Sequence, residues 1–296
     1  MLNPEKHILT YQKYFSNAMG TEVQILKAEA LHKSTREAPW RFDLLVDGME
    51  KSFVLRVDKR SSAREYKILK AVEALPIPTP KVYGLDKKGT ALGTPCFFMD
   101  FIEGDTLLKP MLAGEPWADD LFIECSFQMQ TMLESDMGEL PEWLERDNAE
   151  DVLDKAYQKL KPRDDLVARR VYQELKMTVP DLPKVRFSNG DLYPDNFVIK
   201  DRKLVGVIDF ANAAFSDPLY EFLLPFFIHP ELRGRGTEEK YCERMGINPD
   251  VLPWYHVLEF YDLWGWLNGT SETFSGYNAE QIREILKRWL KHGKLP

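Results

Sequence analysis

The sequence predicts an α+β fold in two unequal lobes. A small N-terminal lobe, residues 1–100, carries an antiparallel sheet, and a larger, mainly helical lobe takes residues 105–296, with the chain crossing over at about 97–104. Three observations point there. Strand and helix signals alternate up to about residue 104, and amphipathic helical periods dominate after it. One short strand-rich island, near residues 187–210, interrupts the helical part. A chain of 296 residues, 44% of them hydrophobic, also buries enough surface for two separate cores.

Residues 23–31, 40–46 and 51–57 read as three strands. Asp47-Gly48, between the last two, is the signal of a tight hairpin, because both residues tolerate positive φ. A three-strand meander follows from this. Ser62 and Glu65 stand at capping-box spacing ahead of Tyr66, Leu69, Val72 and Leu75, which recur at helical intervals. The helix must stop at Pro76. Pro76, Pro78 and Pro80 then remove backbone donors at alternate positions and keep the chain extended toward Val82-Tyr83-Gly84. Residues 96–102 form a further strand ending at Glu103-Gly104, the natural crossing point. No repeat of solenoid period is present.

Composition excludes several classes of function. Lys plus Arg is 39 against 47 Asp plus Glu, a net charge of −8, which is the wrong sign for a chain that works on nucleic acid or anionic lipid. Cys96, Cys125 and Cys242 are odd in number and lack metal-ligand spacing, as expected of reduced thiols in a cytoplasmic protein. The apolar run 222–228 is broken by Pro225 and falls far short of the ~20 residues of a membrane helix. The first ten residues, with Glu5, Lys6 and His7, lack the apolar centre of a signal peptide. A soluble cytoplasmic protein with a small-molecule partner, and neither nucleic acid nor membrane, is the expectation; the oligomeric state is open.

The chemistry concentrates in Phe187-Ser188-Asn189-Gly190-Asp191-Leu192-Tyr193-Pro194-Asp195-Asn196-Phe197-Val198-Ile199 and in Val205-Gly206-Val207-Ile208-Asp209-Phe210. Two apolar strands flank a polar tip. With residues 200–203 as that tip, antiparallel pairing joins positions whose numbers sum to about 405, which sets Asn196 opposite Asp209. An amide oxygen and a carboxylate are hard ligands suited to Mg²⁺, which takes one or two protein oxygens and completes its shell with water and phosphate. Asp191, five residues before Asn196, would stand beside that ion, able to orient a hydroxyl and accept its proton. Taken singly, these three residues could be a turn residue, a hairpin-closing amide and a surface acid.

The run Asn189-Gly190-Asp191 through Asn196, with Ile208-Asp209-Phe210, resembles the catalytic loop and metal-binding segment of the aminoglycoside phosphotransferase family, kinase-like enzymes related to choline and fructosamine kinases. Further similarity lies in Val54-Leu55-Arg56, Arg64-Glu65-Tyr66, Pro78-Thr79-Pro80-Lys81-Val82, Met99 through Gly104 and Asp217-Pro218, so that it spans about residues 20–221. The resemblance implies a two-lobed protein-kinase-like fold with the nucleotide between the lobes. It makes Asp191 the catalytic base and Asn196 and Asp209 the Mg²⁺ ligands, with Asp217 mainly a support for the catalytic loop. It also implies that an Arg56–Glu65 pair positions ATP, GTP not being excluded, and that the backbone of Asp100, Phe101 and Ile102 meets the adenine. Three departures stand out. Asn189 replaces the usual His of the loop, and Arg56 replaces the usual Lys while keeping the charge. The segment 32–39 lacks glycine, so Ser34, Thr35 and nearby amides would have to serve the phosphates.

Substrate selection falls to the C-terminal third. Tyr255, Glu259, Asp262 and Trp266 follow one another at offsets of 4, 3 and 4, one face of a helix. Two carboxylates between two aromatics could hold an amine, which would make the acceptor an amino sugar, an amino alcohol or an antibiotic. The same stripe is also what an ordinary core helix looks like. The basic tail, Lys287 to Lys294, complements a helix C-terminus. Two alternatives stay open: a kinase for an uncharged sugar-like substrate, and a nucleotide-binding pseudokinase without turnover.

Overall fold

The structure, a computed structural model, describes residues 4, 6–31, 39–57, 62–161 and 164–295. It divides into two compact units. The first comprises Met1–Thr106 together with Leu133–Trp143 and Asn196–Ala213, and the second comprises Leu107–Met132, Leu144–Asp195 and Ala214–Pro296. A single boundary near residue 100 therefore does not describe the chain. Asn196 and Asp209, expected in the second lobe, group with the N-terminal sheet, whereas Asp191 groups with the helices.

The first unit opens with helix α1, Ile8–Met19, which the sequence reading did not include. Its Tyr11, Tyr14 and Phe15 are buried, with Phe15 packed edge-on against Phe42 and Phe98 at 5.0 and 4.9 Å between ring centroids. Strands β1 (Val23–Ala30), β2 (Trp40–Val46) and β3 (Met49–Val57) form the expected meander, and Asp47 and Gly48 both take positive φ, 51° and 76°, as a type I′ turn requires. Helix α2 (Ser62–Val72), β4 (Val82–Asp86) and β5 (Cys96–Asp100) follow. The sheet is antiparallel throughout, in the order β1-β2-β3-β5-β4. The segment Leu133–Trp143 is tied to α2 by Gly138 N–H to Ala71 C=O at 2.7 Å. The proline-rich stretch meets the hairpin where Val207 N–H donates to Pro78 C=O at 2.8 Å.

In the second unit, helix Leu252–Leu267 is buried on nearly every side, as its composition demands. Two of its buried polar groups bond to carbonyls of helix Leu166–Met177: Trp254 Nε1 donates to Leu175 C=O and Tyr261 Oη to Ala168 C=O, both at 3.0 Å. Helices Ala149–Leu160 and Ala279–His292 each start with a complete capping box, on Asn148 and Asn278. Helix Pro218–Ile228 carries Pro225 in its interior. A small sheet joins Ala214–Ser216 to Arg186–Ser188 antiparallel and to Arg146–Asp147 parallel. All three cysteines are free and buried, and no helix among the described residues is long and apolar enough to cross a membrane.

Candidate active site

In the first unit, strand alternation buries Leu55 and Val57 and leaves Arg56 on the other face of β3, 20% exposed at its side chain. There it meets α2. Arg56 Nε donates to Glu65 Oε2 at 2.9 Å, and Arg56 Nη2 donates to Asp209 Oδ1 at 3.3 Å. Glu65 is 1% exposed, and burial pushes its carboxyl up from the ordinary value while Arg56 and the Phe210 backbone pull it back. The capping box expected of Ser62 and Glu65 is not the arrangement found. Ser62 is the first residue of α2 and its hydroxyl donates to Pro95 C=O, while Glu65 turns to Arg56. A buried carboxylate one turn into a helix gains more from a guanidinium than from a single amide.

The hairpin Phe197–Lys200 and Lys203–Val207 places Asn196 and Asp209 at its open end. Its tip is Asp201-Arg202, both at positive φ, 52° and 59°. A register shift between Leu204 and Gly206 changes the pairing sum from 403 to 404, so Asn196 lies across from Ile208, whose N–H donates to Asn196 C=O at 2.9 Å. Asp209, expected directly opposite, comes one residue later and adopts φ 58°, which re-aims its side chain; that side chain is 40% exposed. Among the described residues no cluster of three or more His, Cys, Asp or Glu gathers. One amide oxygen and one partly exposed carboxylate fit an oxygen-seeking ion such as Mg²⁺ that keeps water and phosphate in its shell, and do not fit a zinc cage.

The crossing segment is shorter as a strand than its sequence suggests. β5 ends at Asp100, whose N–H donates to Lys81 C=O, and Phe101 N–H donates to Ser52 C=O, each at 3.0 Å. Two of the three backbone donors expected to face an adenine are thus committed to protein carbonyls. The Asp100 carboxylate accepts from Tyr83 Oη at 3.2 Å. Ile102 packs so closely on Gly206 that a Cβ there would lie 2.2 Å from Ile102 Cδ1. Ser34 and Thr35 lie outside the described residues.

In the second unit, Asn189 is fully buried and clamps the loop at Asp191: Asn189 Nδ2 donates to Asp191 C=O at 3.0 Å, and Asp191 N–H faces Asn189 Oδ1 at 3.4 Å. Tyr193 N–H donates to the same Asp191 carbonyl at 2.7 Å. Tyr193 Oη in turn meets His229 Nε2 at 2.5 Å. Asp217 caps helix Pro218–Ile228, accepting from the Leu219 and Tyr220 amides at 3.0 Å, and takes the Tyr255 hydroxyl at 2.9 Å. Burial raises its carboxyl to about 6. Glu221, half-buried, accepts from Ser188 Oγ at 3.4 Å; desolvation raises it to about 7, opposed by a Ser216 hydrogen bond and reinforced by Asp191. Sequence reasoning missed Glu221, whose signal is an acid in the first turn after Asp217-Pro218.

The four residues of the C-terminal face do not act as one set. Tyr255 is fully buried and engaged with Asp217. Glu259, Asp262 and Trp266 do line a common pocket of about 450 Å³, with Gly190, the neighbour of Asp191, also in its wall. Asp262 already accepts from Tyr220 Oη at 2.9 Å and lies 3.8 Å from Lys159 Nζ. The same ammonium sits 5.2 Å from the Trp266 ring centroid. Lys159, on helix Ala149–Leu160, gave no signal in the sequence, because its role depends on which helices pack together.

The model of the family described as "Phosphotransferase enzyme family" matches residues 40–235. A crystal structure of a Ralstonia eutropha JMP134 protein provisionally named an aminoglycoside phosphotransferase superposes with a TM-score of 0.74 at 16% identity, over 96% of this chain and 98% of that one. A thermostable mutant of the aminoglycoside phosphotransferase APH(4)-Ia, in ternary complex with AMP-PNP and hygromycin B, gives a TM-score of 0.67 at 19% identity, over 96% and 99%. The choline kinase LicA of Streptococcus pneumoniae gives 0.59 at 14%, over 98% and 99%. At these identities the likeness is one of fold. Among curated proteins, acyl-CoA dehydrogenase family member 10 of Mus musculus is 23% identical over 239 residues, 70% of this chain; the chain spans 22% of that relative's length.

Proposed function

Since this chain belongs to the phosphotransferase enzyme family, we propose that it transfers the γ-phosphoryl group of ATP, with Mg²⁺, to a hydroxyl of a small molecule in the cytoplasm. The observation that carries the reading is the Arg56 guanidinium joining Glu65 of α2 to Asp209 of the hairpin end. Two carboxylates around one guanidinium leave negative charge at the hairpin end, which suits a divalent cation and, through it, the phosphates of a nucleotide.

In this reading Asn196 and Asp209 would hold Mg²⁺, which supplies charge neutralisation on the phosphates when bound. Arg56, steadied by Glu65, orients the phosphates, and of the crossing segment the Ile102 backbone would meet the adenine. Asp191, its backbone clamped by Asn189, accepts the proton of the acceptor hydroxyl. The acceptor oxygen forms its bond to the γ-phosphorus as the bond to the bridging oxygen breaks; that electron pair leaves with ADP and the proton stays on the Asp191 carboxylate. The AMP-PNP and hygromycin B held together by a neighbour of the same fold support a paired nucleotide and small-molecule site.

The test is a coupled ADP-release screen of the purified protein with Mg²⁺–ATP over amines, sugars and antibiotics, each hit followed by mass spectrometry. A product heavier by one phosphoryl group, formed only with an acceptor present, is the expected result. Absence of both ADP release and Mg²⁺-dependent ATP binding would overturn the proposal.

A further inference from the structure

The pocket that opens beside Gly190 has two kinds of wall. Leu224 and Phe227 from helix Pro218–Ile228, Leu263 and Leu267 from helix Leu252–Leu267, and Phe274 make most of it apolar. The polar part is Tyr220, Thr273 and four carboxylates, of which two are already engaged, Asp262 by Tyr220 and Lys159 and Glu221 by Ser188 and Ser216, and a third, Glu272, is exposed to solvent at the rim. Glu259 differs. It is 7% exposed, lines the pocket, and its Oε2 is buried without a hydrogen-bond partner. Burial pushes its carboxyl well above the ordinary value, Arg233 opposing and Glu238 adding to this, so a cation brought against it is what restores its charge; Arg233 Nε is itself committed to Phe226 C=O at 2.8 Å.

A buried acceptor oxygen left unpaired is costly, and a ligand that supplies a donor recovers that cost. At the Trp266 end the situation is reversed. Lys159 already provides the positive charge for both Asp262 and the indole ring, so a second ammonium there meets repulsion and finds Asp262 engaged. The pocket therefore has one buried place for an amine, at Glu259, and a long apolar wall, with a volume in the roughly 300–1,000 Å³ range of small-molecule sites.

Resting on the kinase reading above, we infer that the acceptor is an amphiphilic monoamine, an alcohol carrying one amino group held by Glu259 and an apolar body laid along Leu224, Phe227, Leu263 and Phe274, and that polycationic acceptors are excluded by Lys159. Glu259 is the specificity-determining residue of this selection.

The experiment is calorimetric binding to the full chain without nucleotide, followed by ADP release with Mg²⁺–ATP, using 2-amino-1-octanol, 1,2-octanediol, 2-aminoethanol and the polyamine sugar kanamycin. The aminooctanol is expected to bind at least about tenfold more tightly than the diol, which lacks the amine, and than 2-aminoethanol, which lacks the apolar body. Glu259→Gln should remove the preference for amine over diol and leave the diol affinity unchanged. Phe274→Ala, at the 40%-exposed rim and so safe for folding, should reduce the preference for the long chain. Lys159→Met should improve kanamycin binding. Kanamycin binding more tightly than aminooctanol to the wild type, or 2-aminoethanol and aminooctanol binding equally, would overturn the inference while ADP release with the favoured acceptor keeps the kinase reading. Selective aminooctanol binding without any ADP release upholds the pocket and sinks the kinase reading instead.

Discussion

Arg56 and Glu65 form a 2.9 Å ion pair in which the carboxylate is 1% exposed and the guanidinium continues to Asp209 at 3.3 Å. Strand β3, helix α2 and the end of the hairpin are thereby fixed to one planar group. A lysine, with a single point charge, could not span the two carboxylates with the same geometry.

Glu65→Gln keeps an oxygen for Arg56 and removes a buried charge, so folding should be little affected and nucleotide handling should suffer. The expected outcome is a melting temperature within a few degrees of wild type and a KM for ATP raised about tenfold, the loss typical of one charge-assisted contact. A fall in melting temperature with ATP kinetics unchanged would make Glu65 purely structural.

Asp191→Asn and Asp209→Asn should separate proton transfer from nucleotide holding. The first is expected to lower kcat by at least ~10²-fold with ATP affinity near normal. The second, chosen because Asn tolerates the φ of 58° at this position, should abolish Mg²⁺-dependent ATP binding measured by calorimetry. Unchanged turnover in the first, or unchanged binding in the second, would remove that residue from its role.

Gly206→Ala is predicted to displace Ile102, because the added methyl would lie 2.2 Å from Ile102 Cδ1 and 2.9 Å from its Cγ2. Overpacking of this kind costs about 1–3 kcal/mol. Thermal melts should show that loss, and the KM for ATP should rise more than the KM for the acceptor if the Ile102 backbone meets the nucleotide. Equal changes in both would detach the crossing segment from nucleotide binding.

Stability should fall as pH rises through neutrality. Glu221 titrates at about 7 and Asp217 at about 6 in the fold, both raised by burial. Raised carboxyls bind protons more tightly folded than unfolded, so their contribution is complete below the ordinary carboxylate range and is lost as pH climbs through 6 and 7. Glu221 alone accounts for on the order of 3 kcal/mol of this. Melting temperatures measured from pH 4 to 8 should decline in the wild type, and Glu221→Gln should flatten the decline between about pH 5 and 7. A parallel decline in the variant would assign it to other groups.

Local chemistry was legible in the sequence. Asp47-Gly48 specified its turn, the prolines from Pro76 to Pro80 an extended passage, and the hairpin carrying Asn196 and Asp209 announced itself through two apolar runs around a polar tip. Each depends on residues a few positions apart, where backbone sterics and side-chain periodicity decide. Helix α1 was legible in principle too, since Tyr11, Tyr14 and Phe15 stand at helical spacing, but its apolar face gains meaning only from the Phe42 and Phe98 it covers.

The tertiary structure decided what depends on distant partners. Glu65 could cap its own helix or pair with Arg56, and the choice fell to the ion pair because the strand delivers a guanidinium to a buried carboxylate. The two-residue tip Asp201-Arg202 starts the pairing at a sum of 403 and one register shift between Leu204 and Gly206 raises it only to 404, which puts Ile208, not Asp209, opposite Asn196. The aromatic and acidic face of the C-terminal helix, uniform in sequence, was divided by its neighbours: Asp217 claimed Tyr255, Lys159 claimed Asp262 and Trp266, and Glu259 kept a buried oxygen without a partner. Helical periodicity sets which side chains share a face; which of them remain available is set by hydrogen-bond and charge satisfaction across elements far apart in the chain.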